Sequence, residues 1–194
     1  MKAALLALFF LVFAFTSAKA GVLVVDTEGN PVRNGGSYNI LPARSGNGGG
    51  LDLAATGGES CAVTVVQALS EQSNGSPTRL SSPYRVRYLC TNLEVDLTAV
   101  APPQCAAKPA RWTIVGQEEE NRQVKLAGQP DTVRGSFRIQ THRGSTYKIV
   151  FCESGEESCR ALGLSNDNKG HRILSVNDEN PFVVVFRKAE SSCA

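Results

Sequence analysis

Several residue types in this 194-residue chain have chemistry available to them. Six are cysteines, at positions 61, 90, 105, 152, 159 and 193. Thiols form disulfides or bind soft metals. A zinc site is disfavoured, because no C-x₂₋₄-C pair exists and only His142 and His171 are available to help. The same two histidines, with the many serines, are the raw material of a catalytic triad. Neither sits in a recognisable motif, and no G-x-S-x-G nucleophile turn occurs. His171 follows Asn168-Lys169-Gly170, which reads as a surface turn. The run Glu118-Glu119-Glu120 lacks a second carboxylate group at a defined separation, so it reads as a solvated loop rather than a hydrolytic pair. The segment Ser81-Ser82-Pro83-Tyr84-Arg85-Val86-Arg87 carries two guanidinium groups. By alternation alone, Arg85 and Arg87 are the solvent face of a strand. Asn74-Gly75-Ser76 is an N-glycosylation sequon, followed at once by Pro77, which lowers occupancy.

The cysteines are meaningful only in a compartment that permits disulfides, and the N-terminus specifies one. Lys2 precedes an unbroken apolar run from Ala3 to Phe15, and Ala18-Lys19-Ala20 offers small residues at both positions a signal peptidase reads. Residues 1–20 are therefore expected to be a secretory signal peptide. The apolar core is too short for a membrane span of about 20 residues. Removing the segment takes Lys2 and Lys19 with it, so basic residues fall from 20 to 18 and equal the 18 acidic ones. It takes no cysteine. A neutral, secreted chain without a basic run is a poor nucleic-acid binder. No second stretch reaches membrane length, and no cofactor motif is present. Residues 21–194 are expected to form one domain, large enough to bury a core of its own.

Within that domain the periodicity is that of short strands. Candidates are Val22–Val25, Tyr38–Leu41, Ala62–Ala68, Tyr84–Leu89, Leu93–Leu97, Trp112–Val115, Val124–Leu126, Phe137–Gln140, Tyr147–Phe151, Ile173–Val176 and Phe182–Phe186. Turn signals separate them, among them Glu28-Gly29-Asn30-Pro31, Asn34-Gly35-Gly36 and Asn74-Gly75-Ser76-Pro77. No helical apolar stripe of normal length follows Ala20. About eleven short strands with long loops imply an all-β barrel, sandwich or trefoil. Three faint thirds can be drawn at roughly 21–80, 81–140 and 141–194. Six cysteines allow fifteen connectivities, and a local Cys152–Cys159 loop and a large Cys61–Cys105 loop are both possible.

One stretch goes further. Val24 to Ile40 reads V-V-D-T-E-G-N-P-V-R-N-G-G-S-Y-N-I. This resembles the N-terminal signature of the plant Kunitz-type protease inhibitors, the soybean trypsin inhibitor family. The resemblance continues through Gly48–Leu51, Cys61–Gln67, Ser81–Arg87, the lone Trp112, Tyr147–Cys152 and Val183–Lys188. It implies a β-trefoil of about twelve strands, with pairings Cys61–Cys105 and Cys152–Cys159. It makes Ser81–Arg87 a reactive loop with Arg85–Val86 as the scissile bond. It places Asn34 behind that loop, its amide bonded to the loop backbone.

Such a loop has a physical rationale. A trypsin-like protease has a carboxylate at the base of its primary pocket, which pairs with a long cationic side chain such as Arg85. A loop already held extended loses little entropy on binding. Pro83 restricts the backbone before Tyr84, and β-branched Val86 stiffens the far side of the bond. The reading implied is a non-enzymatic, monomeric inhibitor whose partner is a trypsin-like serine protease. Arg87 is the fallback for Arg85, two residues along. The competing reading is a trefoil that no longer inhibits and serves in seed storage, taste or carbohydrate binding, or one that inhibits an α-amylase or a subtilisin. Cys90 and Cys193 fall outside the four-cysteine pattern. They form either a third disulfide or leave Cys193 free to make dimers.

Overall fold

The computed structural model describes residues 21–46, 48–118, 122–156 and 158–190. Thirteen strands occur among them, and no helix. The first group is β1 (Gly36–Pro42), β2 (Leu51–Ala54), β3 (Thr64–Gln67) and β4 (Thr78–Ser81). The second is β5 (Glu94–Ala99), β6 (Trp112–Val115), β7 (Gln123–Leu126), β8 (Thr132–Val133) and β9 (Gly135–Arg143). The third is β10 (Thr146–Glu153), β11 (Cys159–Asn166), β12 (Arg172–Val176) and β13 (Val183–Lys188).

Pairing organises these groups alike. The first and last strand of each group belong to a closed antiparallel ring, β1–β4–β5–β9–β10–β13 and back to β1. Closure removes the exposed strand edges that an open sheet would present. The inner strands of each group form a hairpin: β2–β3, β6–β7 and β11–β12. The three hairpins touch one another through β3–β7, β7–β12 and β12–β3. The two-residue β8 is an addition that pairs with β6.

Period-2 alternation explains why these sequences close in this way. Each ring strand aims one large apolar side chain into a shared core: Ile40, Leu80, Leu97, Ile139, Ile149 and Phe186, all essentially inaccessible. The hairpins add Leu51, Val65, Ile114, Leu126, Leu162 and Leu174 to the same cluster. Burying each such side chain contributes about 1.5–3 kcal/mol.

The strand expectations need correction in two directions. Val22–Val25 makes only isolated bridges, Leu23 to Cys90 and Val25 to Pro31. Tyr84–Leu89 is not a strand either, because the Val86 N–H turns back to the Tyr84 carbonyl. Conversely, β2, β4, β8 and β11 are strands that alternation did not reveal. In β11 the chain needs Gly163, since a Cβ there would lie 2.4 Å from the Asn180 carbonyl oxygen.

Ring pairing also brings two distant segments together. β1 and β4 are antiparallel neighbours with Gly36 opposite Leu80. The residues just before β1 and just after β4 therefore emerge side by side at one end of the ring.

Candidate functional site

The first of those segments is Asn34-Gly35-Gly36. Gly35 takes a φ of 79°, a backbone conformation that disfavours a side chain. Gly36 stands where a Cβ would meet the Tyr38 ring at 2.8 Å. The Tyr38 hydroxyl in turn accepts from the Arg33 N–H at 2.9 Å, and the Gly35 N–H donates to the Leu80 carbonyl at 2.8 Å. Asn34 is thus fixed from both sides before its side chain makes any contact.

The second segment leaves β4 at Ser81 and runs through Ser82, Pro83, Tyr84, Arg85, Val86 and Arg87. Pro83, Tyr84, Arg85 and Arg87 are exposed; Ser81, Ser82 and Val86 are half-buried. The loop folds over the Asn34 side chain. Asn34 Nδ2 lies 3.0 Å from the Val86 carbonyl oxygen, 3.3 Å from that of Tyr84 and 3.4 Å from that of Ser82. Asn34 Oδ1 accepts from the Ser82 N–H at 2.8 Å. This arrangement fixes the amide orientation, because carbonyl oxygens surround the nitrogen and an N–H faces the oxygen. Asn34 also donates its backbone N–H to the Arg87 carbonyl at 3.1 Å. One residue therefore holds the loop from Ser82 to Arg87.

Beyond the loop the chain is anchored again. Leu89 is buried, its N–H donating to the Val32 carbonyl at 2.9 Å and its carbonyl accepting from Val24 at 3.0 Å. Tyr88 bridges Arg33. The Arg87 guanidinium stacks over the Tyr88 ring at 5.3 Å, a cation–π contact that turns it aside. Arg85 is different. It is exposed, and no described side chain pairs with its guanidinium. The carbonyls of its two neighbours, Tyr84 and Val86, point back toward Asn34. The geometry offers one unpaired cation on a loop whose flanks are tied down.

A model of a family described as trypsin and protease inhibitors, the legume Kunitz family, matches residues 24–188. The chain belongs to that family. The legume Kunitz proteins are inhibitors rather than enzymes. Trypsin inhibitor BvTI of Bauhinia variegata is 43% identical over 167 residues, which are 86% of this chain and 95% of that protein. Trypsin inhibitor 1A of Psophocarpus tetragonolobus is 40% identical, over 87% of this chain and 99% of its own length. Among solved structures, soybean trypsin inhibitor in complex with porcine pancreatic trypsin superposes with a TM-score of 0.80 at 36% identity, covering 87% of this chain and 99% of that inhibitor.

Both disulfides implied by the Kunitz resemblance are formed. Cys61–Cys105 spans 44 residues and encloses the loop, and Cys152–Cys159 spans seven. Among the described residues Cys90 has no disulfide partner, and it is half-buried beside the Leu23 bridge. Cys193 lies outside the described residues, so the third bridge expected between these two is not part of the described structure. Asn74 is exposed in the loop before β4. Glu119 and Glu120 lie outside the described residues.

The histidines serve turns and surface. His171 Nδ1 is 2.7 Å from Asp167 Oδ2, while Asp167 Oδ1 accepts from the N–H groups of Lys169 and His171 at 2.8 Å each. Desolvation raises the Asp167 pKa, but the bonds from His171 and Lys169 outweigh it, and the net shift is downward. This is a closed turn between β11 and β12. His142 is exposed near the end of β9. Among the described residues, no group of three or more His, Cys, Asp or Glu could hold a metal ion.

Sequence reasoning missed Arg33, Tyr88 and the backbone of Asn34 as parts of the brace. The signal was present in Tyr38, whose hydroxyl needed a partner once buried.

Proposed function

We propose that the protein is an inhibitor of trypsin-like serine proteases that presents Arg85–Val86 as its reactive bond. The observation that carries this reading is the Asn34 amide beneath the loop, bonded on both sides of that bond. Arg85 enters the primary pocket and pairs with its carboxylate. The Asn34 brace holds the loop backbone before it meets the protease, so little conformational entropy remains to be lost. If the bond is hydrolysed, Arg85 gains a carboxylate and Val86 an amine. Asn34 and the Cys61–Cys105 loop keep the two ends together, and the reverse reaction competes with release.

The six-strand ring with three mutually contacting hairpins is the arrangement of a β-trefoil, with thirds at 36–81, 94–143 and 146–188. Residues 21–194 form this single domain, acting as a monomer. Residues 1–20 are a signal peptide, and the mature chain is secreted, outside the cell or into a vacuole. Two closed disulfides support an oxidising destination.

The test is titration of trypsin with the mature protein, followed by mass spectrometry after brief exposure to catalytic trypsin. Stoichiometric inhibition with a single cut after Arg85 is the expected result. A cut after Arg87 instead would move the reactive bond by two residues.

A further inference from the structure

A cavity lies away from the loop, with none of residues 81–87 in its lining. It has a volume of about 700 Å³, within the usual range of small-molecule sites. β1 connects the two places: it begins two residues after Asn34 and ends at Pro42, which lines the cavity with Arg44. Seven strand residues separate the ends by about 20 Å. The cavity therefore remains open when a protease occupies the loop.

Its lining has a definite chemistry. Arg44, Arg143, Arg172 and His142 contribute to it, and none of its described lining residues is Asp or Glu. The three arginines come from distant parts of the chain: just past β1, the end of β9 and the start of β12. Convergence of three guanidinium groups with no carboxylate in the described lining is a local positive field. Arg172 is positioned from below. Its Nη1 donates to Oε1 of the buried Gln67 at 3.2 Å, and Gln67 Nε2 donates to the Gly49 carbonyl at 3.2 Å. Asn180 and Phe182 also line the cavity.

We propose that this cavity binds an acidic saccharide. Guanidinium groups recognise oxyanions in paired fashion, which assigns sulfate or carboxylate groups to the ligand. Amides and a partly exposed aromatic ring suit a hydroxylated ring with one apolar face. A purely apolar ligand would offer the Arg44 and Arg143 guanidinium groups no acceptor. Binding there leaves the Arg85 loop free, so the protein holds an acidic glycan and a protease at once.

Calorimetry with a galacturonate hexamer and with a sulfated hexasaccharide tests this. Saturable one-to-one binding of either is expected, absent for the methyl-esterified galacturonate hexamer. The double variant Arg44→Gln/Arg143→Gln should weaken it on the order of tenfold while inhibiting trypsin as before. Arg85→Gln should bind the glycan unchanged. Both arginines of the double variant are exposed, so the fold tolerates their loss. The proposal is overturned if neither glycan binds, if the neutral ester binds equally, if the double variant retains full affinity, or if Arg85→Gln weakens binding as much.

Discussion

Asn34 Nδ2 and the Val86 carbonyl oxygen are 3.0 Å apart, although the residues are 52 positions apart in sequence. Replacing this amide should separate inhibition from folding. Asn34→Ala removes the donor and the acceptor together and leaves the loop carbonyls to water. The fold should lose about 1–3 kcal/mol. Trypsin binding should weaken roughly ten- to hundredfold as loop ordering is charged to the complex. Asn34→Asp should be worse for binding, because it sets an acceptor against three carbonyl oxygens. Inhibition constants and chemical unfolding of both variants check this. Unchanged inhibition by Asn34→Ala would remove the brace from the mechanism.

Arg85 should carry the specificity. Arg85→Ala should cost about 4 kcal/mol of binding, roughly a thousandfold, with no change in melting temperature. Arg85→Lys should keep most of the inhibition, because a single ammonium still reaches the pocket carboxylate. Arg85→Leu should redirect the protein toward chymotrypsin-like proteases. Arg87→Ala should change little, since that guanidinium rests on Tyr88. Inhibition constants for the four variants against trypsin and chymotrypsin decide the matter. Full trypsin inhibition by Arg85→Ala, lost in Arg87→Ala, would reassign the reactive bond.

The two disulfides should contribute unequally. In the chain-entropy model, opening the 44-residue Cys61–Cys105 loop costs about 4 kcal/mol, and the seven-residue Cys152–Cys159 loop about 2.5 kcal/mol. Paired Cys→Ala variants unfolded in urea should rank in that order. The larger loop also encloses Arg85, so its variant should be cleaved and released by trypsin faster. Loss of the smaller loop, remote in sequence from Arg85, should leave the rate of cleavage unchanged.

The division between what could and could not be read from the residues has a physical basis. Alternation found ring strands such as β9 and β13, where Ile139 and Phe186 point inward, but not the four-residue β4 around Leu80. It missed β11, where Gly163 replaces a side chain so that the Asn180 backbone can approach. It misread Tyr84–Leu89 as a strand because an exposed loop and a strand face both alternate Arg with apolar residues. What separates them is the Asn34 amide, and no local pattern shows that Asn34 and Ser82 become neighbours. Only ring pairing of β1 with β4 does so. The arginine-lined cavity was invisible for the same reason: its cations are scattered along the chain.

Acid should weaken the contact between the β2–β3 and β6–β7 hairpins through Glu59. Its carboxylate accepts from Lys125 Nζ at 2.6 Å, from the Thr56 N–H at 2.9 Å and from the Thr64 hydroxyl at 2.9 Å. Burial raises its pKa, but these donors outweigh burial, and the net shift is below the ordinary 4.5. A depressed carboxyl pKa stabilises the fold fully above the unfolded value and loses that contribution as pH falls through the folded one. Lys125 belongs to β7 and Thr64 to β3, so the loss falls on the contact between two hairpins. Glu59→Gln cannot carry the charge at any pH. The wild-type protein should therefore exceed it in stability by about 1–2 kcal/mol near neutrality, and the difference should shrink below about pH 4. Urea unfolding of both proteins from pH 7 to pH 3 measures it. A difference that stays constant over that range would mean that the Glu59 charge contributes nothing.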